Sequence, residues 1–210
     1  MGPASSTEPH VWLVRHGETE WARLGRHTGR TDIPLTEKGR EQAKALGRRL
    51  VRHRFGLVLT SPLSRAADTA RIAGFGDVAV ADGDLMEWDY GALEGRTTAD
   101  IRNEIPNWSI WRGPWPDGET VEEVGHRADR VIRRILDAAA GGDVLVFAHG
   151  HLLRVLAARW VGLPPTSGGL FELATATVSI LGWEREAPTI ELWNGASHLT
   201  CATEQTPRPR

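Results

Sequence analysis

Apolar runs of strand length alternate with segments of helical periodicity along most of this chain, and that alternation limits its fold more than any other feature. His10–Arg15 (HVWLVR), Leu57–Thr60, Val78–Ala81 and Val144–Ala148 read as short strands. Between them, Thr36–Arg54 places Ala43, Leu46 and Leu50 on one helical stripe. Ser61-Pro62 offers an N-cap and an N1 proline for a helix carrying Ala66, Ala67, Ala70 and Ala73 and stopping at Gly74. Thr120-x-x-Glu123 is a capping box ahead of Val121, Val124, Ala128, Val131 and Ile135. The run Val144–Ala148 leads into a helix through Trp160, which Gly162 and Pro164 end. Thr177–Trp183 and Thr189–Trp193 read as two closing strands, while 83–118 is irregular and rich in Gly, Pro and Trp. The pattern predicts an α/β domain with a mostly parallel sheet.

Composition narrows the class. The chain has 210 residues with 25 basic against 27 acidic, a formal charge of -2, which gives no overall electrostatic footprint for nucleic acid. Only two of the basic residues are Lys (Lys38, Lys44); the rest are Arg, the better bidentate partner for phosphate. The one cysteine, Cys201, excludes an internal disulfide framework and fits a reducing cytoplasm. The apolar runs are too short for a membrane span, and MGPASSTEPH lacks the charged and apolar regions of a secretory signal. Met1-Gly2 through Ser6 matches the myristoylation pattern literally, and Pro3 argues for coincidence. Residues 10–201 read as a single domain with a lid-like, Trp- and Pro-rich excursion at 96–118. The tails 1–9 and 202–210 read as disordered.

Chemistry gathers where strands end. In an open α/β sheet, ligands bind beyond the carboxyl ends of the strands. Those ends here read Arg15-His16-Gly17-Glu18, Ser61-Pro62-Leu63-Ser64-Arg65 and His149-Gly150-His151. Each has a bland reading: Arg-His-Gly is a short motif, Arg65 could be a surface ion-pair partner, and His149 a structural histidine. Three such coincidences at one sheet edge are a poor account of the pattern. Two histidines and two arginines converge without carboxylates at ligand spacing, and helix N-termini add backbone donors. That is a cationic site, and a phosphate group suits the planar fork of arginine.

The segments LVRHGETEW (13–21), HTGRTDIPLTEKG (27–39), SPLSRAADTA (61–70), LMEWDYGALEG (85–95) and VFAHGHLLR (146–154) resemble the histidine phosphatase superfamily, in its phosphoglycerate mutase-like branch. The resemblance implies a three-layer sandwich and a phosphohistidine mechanism needing no metal or other cofactor. It implies His16 as nucleophile, Glu87 as proton donor, and Arg15, Arg65 and His149 as the phosphate pocket. Thr28 and Gly29 match the family's substrate-contacting turn, and the amide of Gly150 adds a donor. A main-chain acceptor near Gly17 would aim the His16 ring, a protonated His149 would add charge, and Met86 and Trp88 would desolvate Glu87. Asp89 is the rival acid, two residues away. Family members are often dimers, so a homodimer is expected by analogy.

Within the family, a phosphatase acting on sugar phosphates or similar small metabolites is the favoured reading. The excursion 96–118 is short for a mutase and holds only Arg96, Arg102 and Arg112, and Ala22 stands where mutases place an Asn. The segment WRGPWPDGET (111–120) is similar to phosphatase members. A phosphoglycerate mutase is the alternative, and a catalytically weak phosphate-binding module the second. Arg26 and His27 are candidates to meet a second phosphate or carboxylate, or are plain surface residues. The Trp-rich stretch is either a pocket wall or ordinary packing. His149-x-His151 as a metal pair lacks further ligands, and Gly74-x-Gly76-x-x-Ala79 precedes a strand, the wrong context for a dinucleotide fingerprint.

Overall fold

The computed structural model describes residues 9–138 and 141–200. Apart from Pro9, both tails and Cys201 lie outside the described residues. Six strands form one mixed sheet in the order β3-β2-β4-β1-β5-β6, with β1 Val11–Arg15, β2 Leu57–Thr60, β3 Ala79–Ala81, β4 Val144–Ala148, β5 Val178–Glu184 and β6 Ala187–Gly195. The first four in that order, β3, β2, β4 and β1, run parallel, and β5 and β6 add antiparallel ladders.

The helices are α1 Glu20–Arg23, α2 Glu37–Leu50, α3 Ser64–Ile72, α4 Thr98–Glu104, α5 Val121–Asp137, α6 Gly150–Trp160 and α7 Ser197–Thr200. The central strand β4 is buried along its whole length. Val144, Val146 and Ala148 face a core with Val124, Val131, Ile135 and Leu156 of α5 and α6. Leu145 and Phe147 face a second core with Leu46, Leu50 and Ala70 of α2 and α3. A strand apolar on both faces needs a helix layer on each, and the expected three-layer arrangement results.

Three local expectations change. The helix α2 stops at Leu50, four residues early. The N-cap of α3 is Leu63 and not Ser61, with no side-chain cap of its own; Asp32 Oδ1 instead accepts from the Ser64 N–H at 2.9 Å and its hydroxyl at 2.8 Å. The stretch 83–118 contains a helix after all, α4, opened by a capping box between Thr97 and Asp100. No helix among the described residues is long and apolar enough to cross a membrane.

Candidate active site

Register brings the chemistry together. Arg15 pairs with Ala148 and Thr60 with Phe147, so β1, β4 and β2 end side by side. The chain then turns out of the sheet: the His16 N–H donates to Ala148 O at 3.0 Å, and that of Ser61 to Phe147 O at 2.9 Å. Beyond these ends lies a cavity of about 270 Å³, whose lining includes Arg15, His16, Thr28, Glu87 and Gly150.

The His16 ring is nearly buried, and its Nδ1 lies 2.7 Å from the carbonyl oxygen of Gly17, as the sequence suggested. A carbonyl only accepts, so Nδ1 carries the proton and Nε2 is left with its lone pair. Burial, followed by the nearby charges of Arg15 and Arg65, pushes the His16 pKa well below the ordinary imidazole value. The ring is therefore neutral, the nucleophilic form.

Arg65 and His149 stand behind this ring and do not line the cavity. His149 is fully buried, with its ring centroid 5.2 Å from that of His16. Arg65 Nε donates to His149 Nδ1 at 3.1 Å, so the proton of His149 sits on Nε2, which meets Ser61 Oγ at 2.8 Å. Burial and then Arg65 push the His149 pKa well down. The protonated His149 expected from sequence is corrected on that ground: a guanidinium N–H occupies the nitrogen that would carry the second proton. Arg65 spends its other donors on the carbonyls of Thr31 (3.0 Å), Thr28 (3.1 Å) and Gly29 (2.8 Å). It holds the 28–31 turn against the nucleophile. Glu94 grips the same turn from the other side, accepting from the N–H of Gly29 at 2.8 Å and of Thr31 at 3.1 Å. A Cβ on Gly29 would lie 2.5 Å from both Glu94 Oε2 and the Trp88 carbonyl, so only glycine fits there.

Glu87 is buried at the mouth of α6. Its Oε1 accepts from the N–H of Leu152 (2.9 Å) and Trp88 (3.0 Å), and its Oε2 from that of His151 (3.0 Å). The environment differs from the apolar flank expected of Met86 and Trp88: a helix N-terminus aims its donors at the carboxylate. Asp89 turns elsewhere, to the Gly91 N–H at 3.0 Å and Arg30 at 3.4 Å. The amide-bearing Cα of Gly150 abuts Arg15, where a Cβ would come within 3.2 Å of Nε.

The cavity also holds residues that the motifs did not single out as ligands. Tyr90, His151 and Arg154 line it beside Arg26 and His27. Burial, then Glu87, raises the Tyr90 pKa well above that of a free phenol, and its neutral hydroxyl shares a hydrogen bond with His151 Nδ1 at 2.6 Å. His149 and His151 thus face different partners, and no metal pair is formed. Among the described residues no cluster of three or more His, Cys, Asp or Glu could hold a metal ion. The tryptophans of 96–118 are mainly packing: Trp108 is buried with its N–H on Pro114 O at 2.9 Å, and Trp111 and Trp115 pack on Trp88. From this stretch only Thr98 reaches the cavity.

An acid phosphatase of Mycobacterium tuberculosis is 44% identical over 174 residues, which is 82% of this chain and 85% of that protein. A sedoheptulose 1,7-bisphosphatase of Saccharomyces cerevisiae is 37% identical over 189 residues, 75% of this chain and 69% of that one. The solved structure of an open reading frame product of Mycobacterium tuberculosis superposes with a TM-score of 0.85 at 40% identity, over 89% of this chain and 97% of that chain. A family model described as the histidine phosphatase superfamily (branch 1) matches residues 11–196. The chain belongs to the histidine phosphatase superfamily, branch 1.

Proposed function

We propose that this protein hydrolyses phosphomonoesters of small metabolites, sugar phosphates or similar, through a phosphohistidine on His16 and without a metal. The observation that carries the reading is the neutral His16 ring, fixed by Gly17 O and facing a cationic cavity beside Arg15 and Glu87. In the first half-reaction Nε2 attacks phosphorus in line, the P–O bond to the alcohol breaks, and Glu87 gives the leaving oxygen its proton. In the second, water attacks phosphorus, the N–P bond breaks, and Glu87 takes the proton back. Arg15 and the amide of Gly150 face the equatorial oxygens, where phosphoryl transfer most needs charge. Arg65 supplies charge and, with the neutral His149, alignment from behind the ring, and Thr28 and Gly29 shape the wall.

The mutase reading retains one supporting observation, since Arg26 and Arg154 add cations to the cavity. Against it, Ala22 offers the cavity only a methyl group, and 96–118 contributes Thr98 alone. The deciding experiment follows inorganic phosphate from a panel of aryl phosphate, sugar phosphates, phosphoserine, nucleotides and 3-phosphoglycerate, with EDTA throughout. Release is expected, with acid-labile phosphohistidine on the wild type and none on His16→Ala. Loss of release in EDTA, or turnover by His16→Ala, would overturn the reading; phosphate moved between positions without release would establish the mutase. A cytoplasmic location, supported by the lone cysteine, and a homodimer, supported by family analogy, complete the proposal.

A further inference from the structure

The nucleophile is aimed by a main-chain carbonyl, and that carbonyl has to be held in turn. Gly17 O and the N–H of Glu18 belong to one planar trans peptide unit and point in opposite directions. The oxygen accepts from His16 Nδ1 at 2.7 Å, and the N–H donates to Gln42 Oε1 at 2.8 Å. Gln42 therefore grips the far end of the plane that orients the ring. The preceding peptide is fixed separately. The Gly17 N–H donates to Thr69 Oγ1 at 3.0 Å, and that buried hydroxyl donates onward to Arg65 O at 2.6 Å.

Two glycines let α2 bring Gln42 this close. A Cβ on Gly17 would lie 2.5 Å from Gly39 O, and one on Gly39 would collide with Glu18 O. Gly39 and Gln42 are three residues apart and share a helix face, so the face that touches the turn also delivers the amide. The Glu18 carbonyl accepts from the N–H of Thr36, the N-cap of α2, at 2.9 Å. Gln42 is not among the residues that line the cavity. Its oxygen can only accept, and its partner is main chain.

We infer that Gln42 is a positioning residue for the nucleophile: it locks the Gly17–Glu18 peptide, and through it the heading and tautomer of the His16 ring. Two effects combine. Turning the peptide plane so that Gly17 O leaves Nδ1 must also break the Gln42 bond. Hydrogen bonds in series polarise the unit they share, so the engaged Glu18 N–H makes Gly17 O a stronger acceptor. A ring that loses Gly17 O is free to carry its proton on Nε2, and in that form the attacking nitrogen has no lone pair for phosphorus. The effect on rate rests on the phosphatase reading, whereas the effect on the tautomer does not.

The test reads the two separately. Gln42→Met keeps the length and the helix propensity and removes the acceptor; Gln42→Glu keeps an oxygen for the Glu18 N–H. Gln42 is only half-buried, so neither change empties a core position. Ring 15N chemical shifts of His16 at pH 7.5, assigned against His16→Ala, report the tautomer. Wild type and Gln42→Glu should show the Nδ1–H form, and Gln42→Met a mixture with Nε2–H. With an aryl phosphate, Gln42→Met should lose about ten- to a hundredfold in kcat, the scale of a misplaced reacting group, with KM near the wild-type value. Gln42→Glu should recover most of that loss. Tautomer populations are read from folded protein alone, so a destabilised variant still reports. A His16 that stays wholly Nδ1–H in Gln42→Met, or a loss of kcat that Gln42→Glu shares in full, would overturn the assignment. If wild type leaves aryl phosphate untouched while the tautomers shift as described, the phosphatase reading has failed and the positioning role stands.

Discussion

Glu87 makes three hydrogen bonds and is asked to move a proton, so it is where a single atom decides most. Replacing one oxygen by an amide leaves Oε1 to serve Trp88 and Leu152 but sets an NH2 group against the N–H of His151. An unsatisfied buried donor costs about 1–3 kcal/mol, and general acid catalysis contributes roughly 10²–10⁴-fold. For Glu87→Gln we expect a lower Tm, and a fall in kcat much larger for alkyl phosphates than for aryl phosphates with good leaving groups. Steady-state rates across a leaving-group series check this; equal slowing throughout would move the proton donor elsewhere. At this scale the strand-end motifs pointed to Arg15 and His16, while Glu87, six residues past the end of β3, was named by the family resemblance alone. The sequence could not show that Arg65 bonds to His149 and to three carbonyls of 28–31, since those partners lie 34 or more residues away in the chain. Arg154 escaped notice for a related reason: an arginine on a helix gives no sign that its face borders a cavity.

Among the elements, α5 positions the catalytic segment from behind. Arg127, buried on that helix, forks onto Glu119 at 2.7 and 2.8 Å, and its Nη1 donates to the carbonyls of Asp84 at 2.7 Å and Met86 at 2.8 Å. Glu119 in turn accepts from the Asp89 N–H at 2.9 Å, and its own carbonyl takes the Trp88 indole N–H at 2.7 Å. The pair therefore clamps 84–89, the strip that presents Glu87. Breaking a buried pair from one side costs about 3–5 kcal/mol because the other charge is stranded. Arg127→Met should lose stability on that scale in urea unfolding and should share the leaving-group profile of Glu87→Gln. The double variant Arg127→Met, Glu119→Gln should lose less than the sum of the two; strict additivity would mean that the two side chains act independently. The capping box of α5 was plain in Thr120 and Glu123, and β2 and β4 in their unbroken apolar runs. The helix α4 was not, because its box closes with Asp100 and only Ile101 of its seven residues is buried, leaving no stripe to read. The cap of α3 was misread because its acceptor, Asp32, comes from a loop 32 residues earlier.

For the whole molecule, the cavity gathers uncharged imidazoles around fixed guanidinium charges, and that sets a pH limit on the fold. His16, His149 and His151 are each pushed well below the ordinary value, first by burial and then by neighbouring arginines. Burial takes His27 from 6.5 down to about 4. The unfolded chain therefore binds protons below pH 6.5 that the folded chain refuses, and stability falls as pH drops from 6.5 toward 4. For His27 alone the full shift corresponds to about 3 kcal/mol. Melting curves between pH 7.5 and 4 should show Tm constant at the top of the range and falling steeply below 6.5. His27→Gln, which keeps a donor for Thr98 Oγ1, should flatten that fall by the share of one histidine. Inorganic phosphate should offset part of the loss, because an anion that binds only the folded cavity stabilises it by mass action and favours protonated rings beside it. A wild-type Tm that does not move between pH 6.5 and 4.5, or a His27→Gln slope equal to that of the wild type, would show that these rings take up their protons without opening the site.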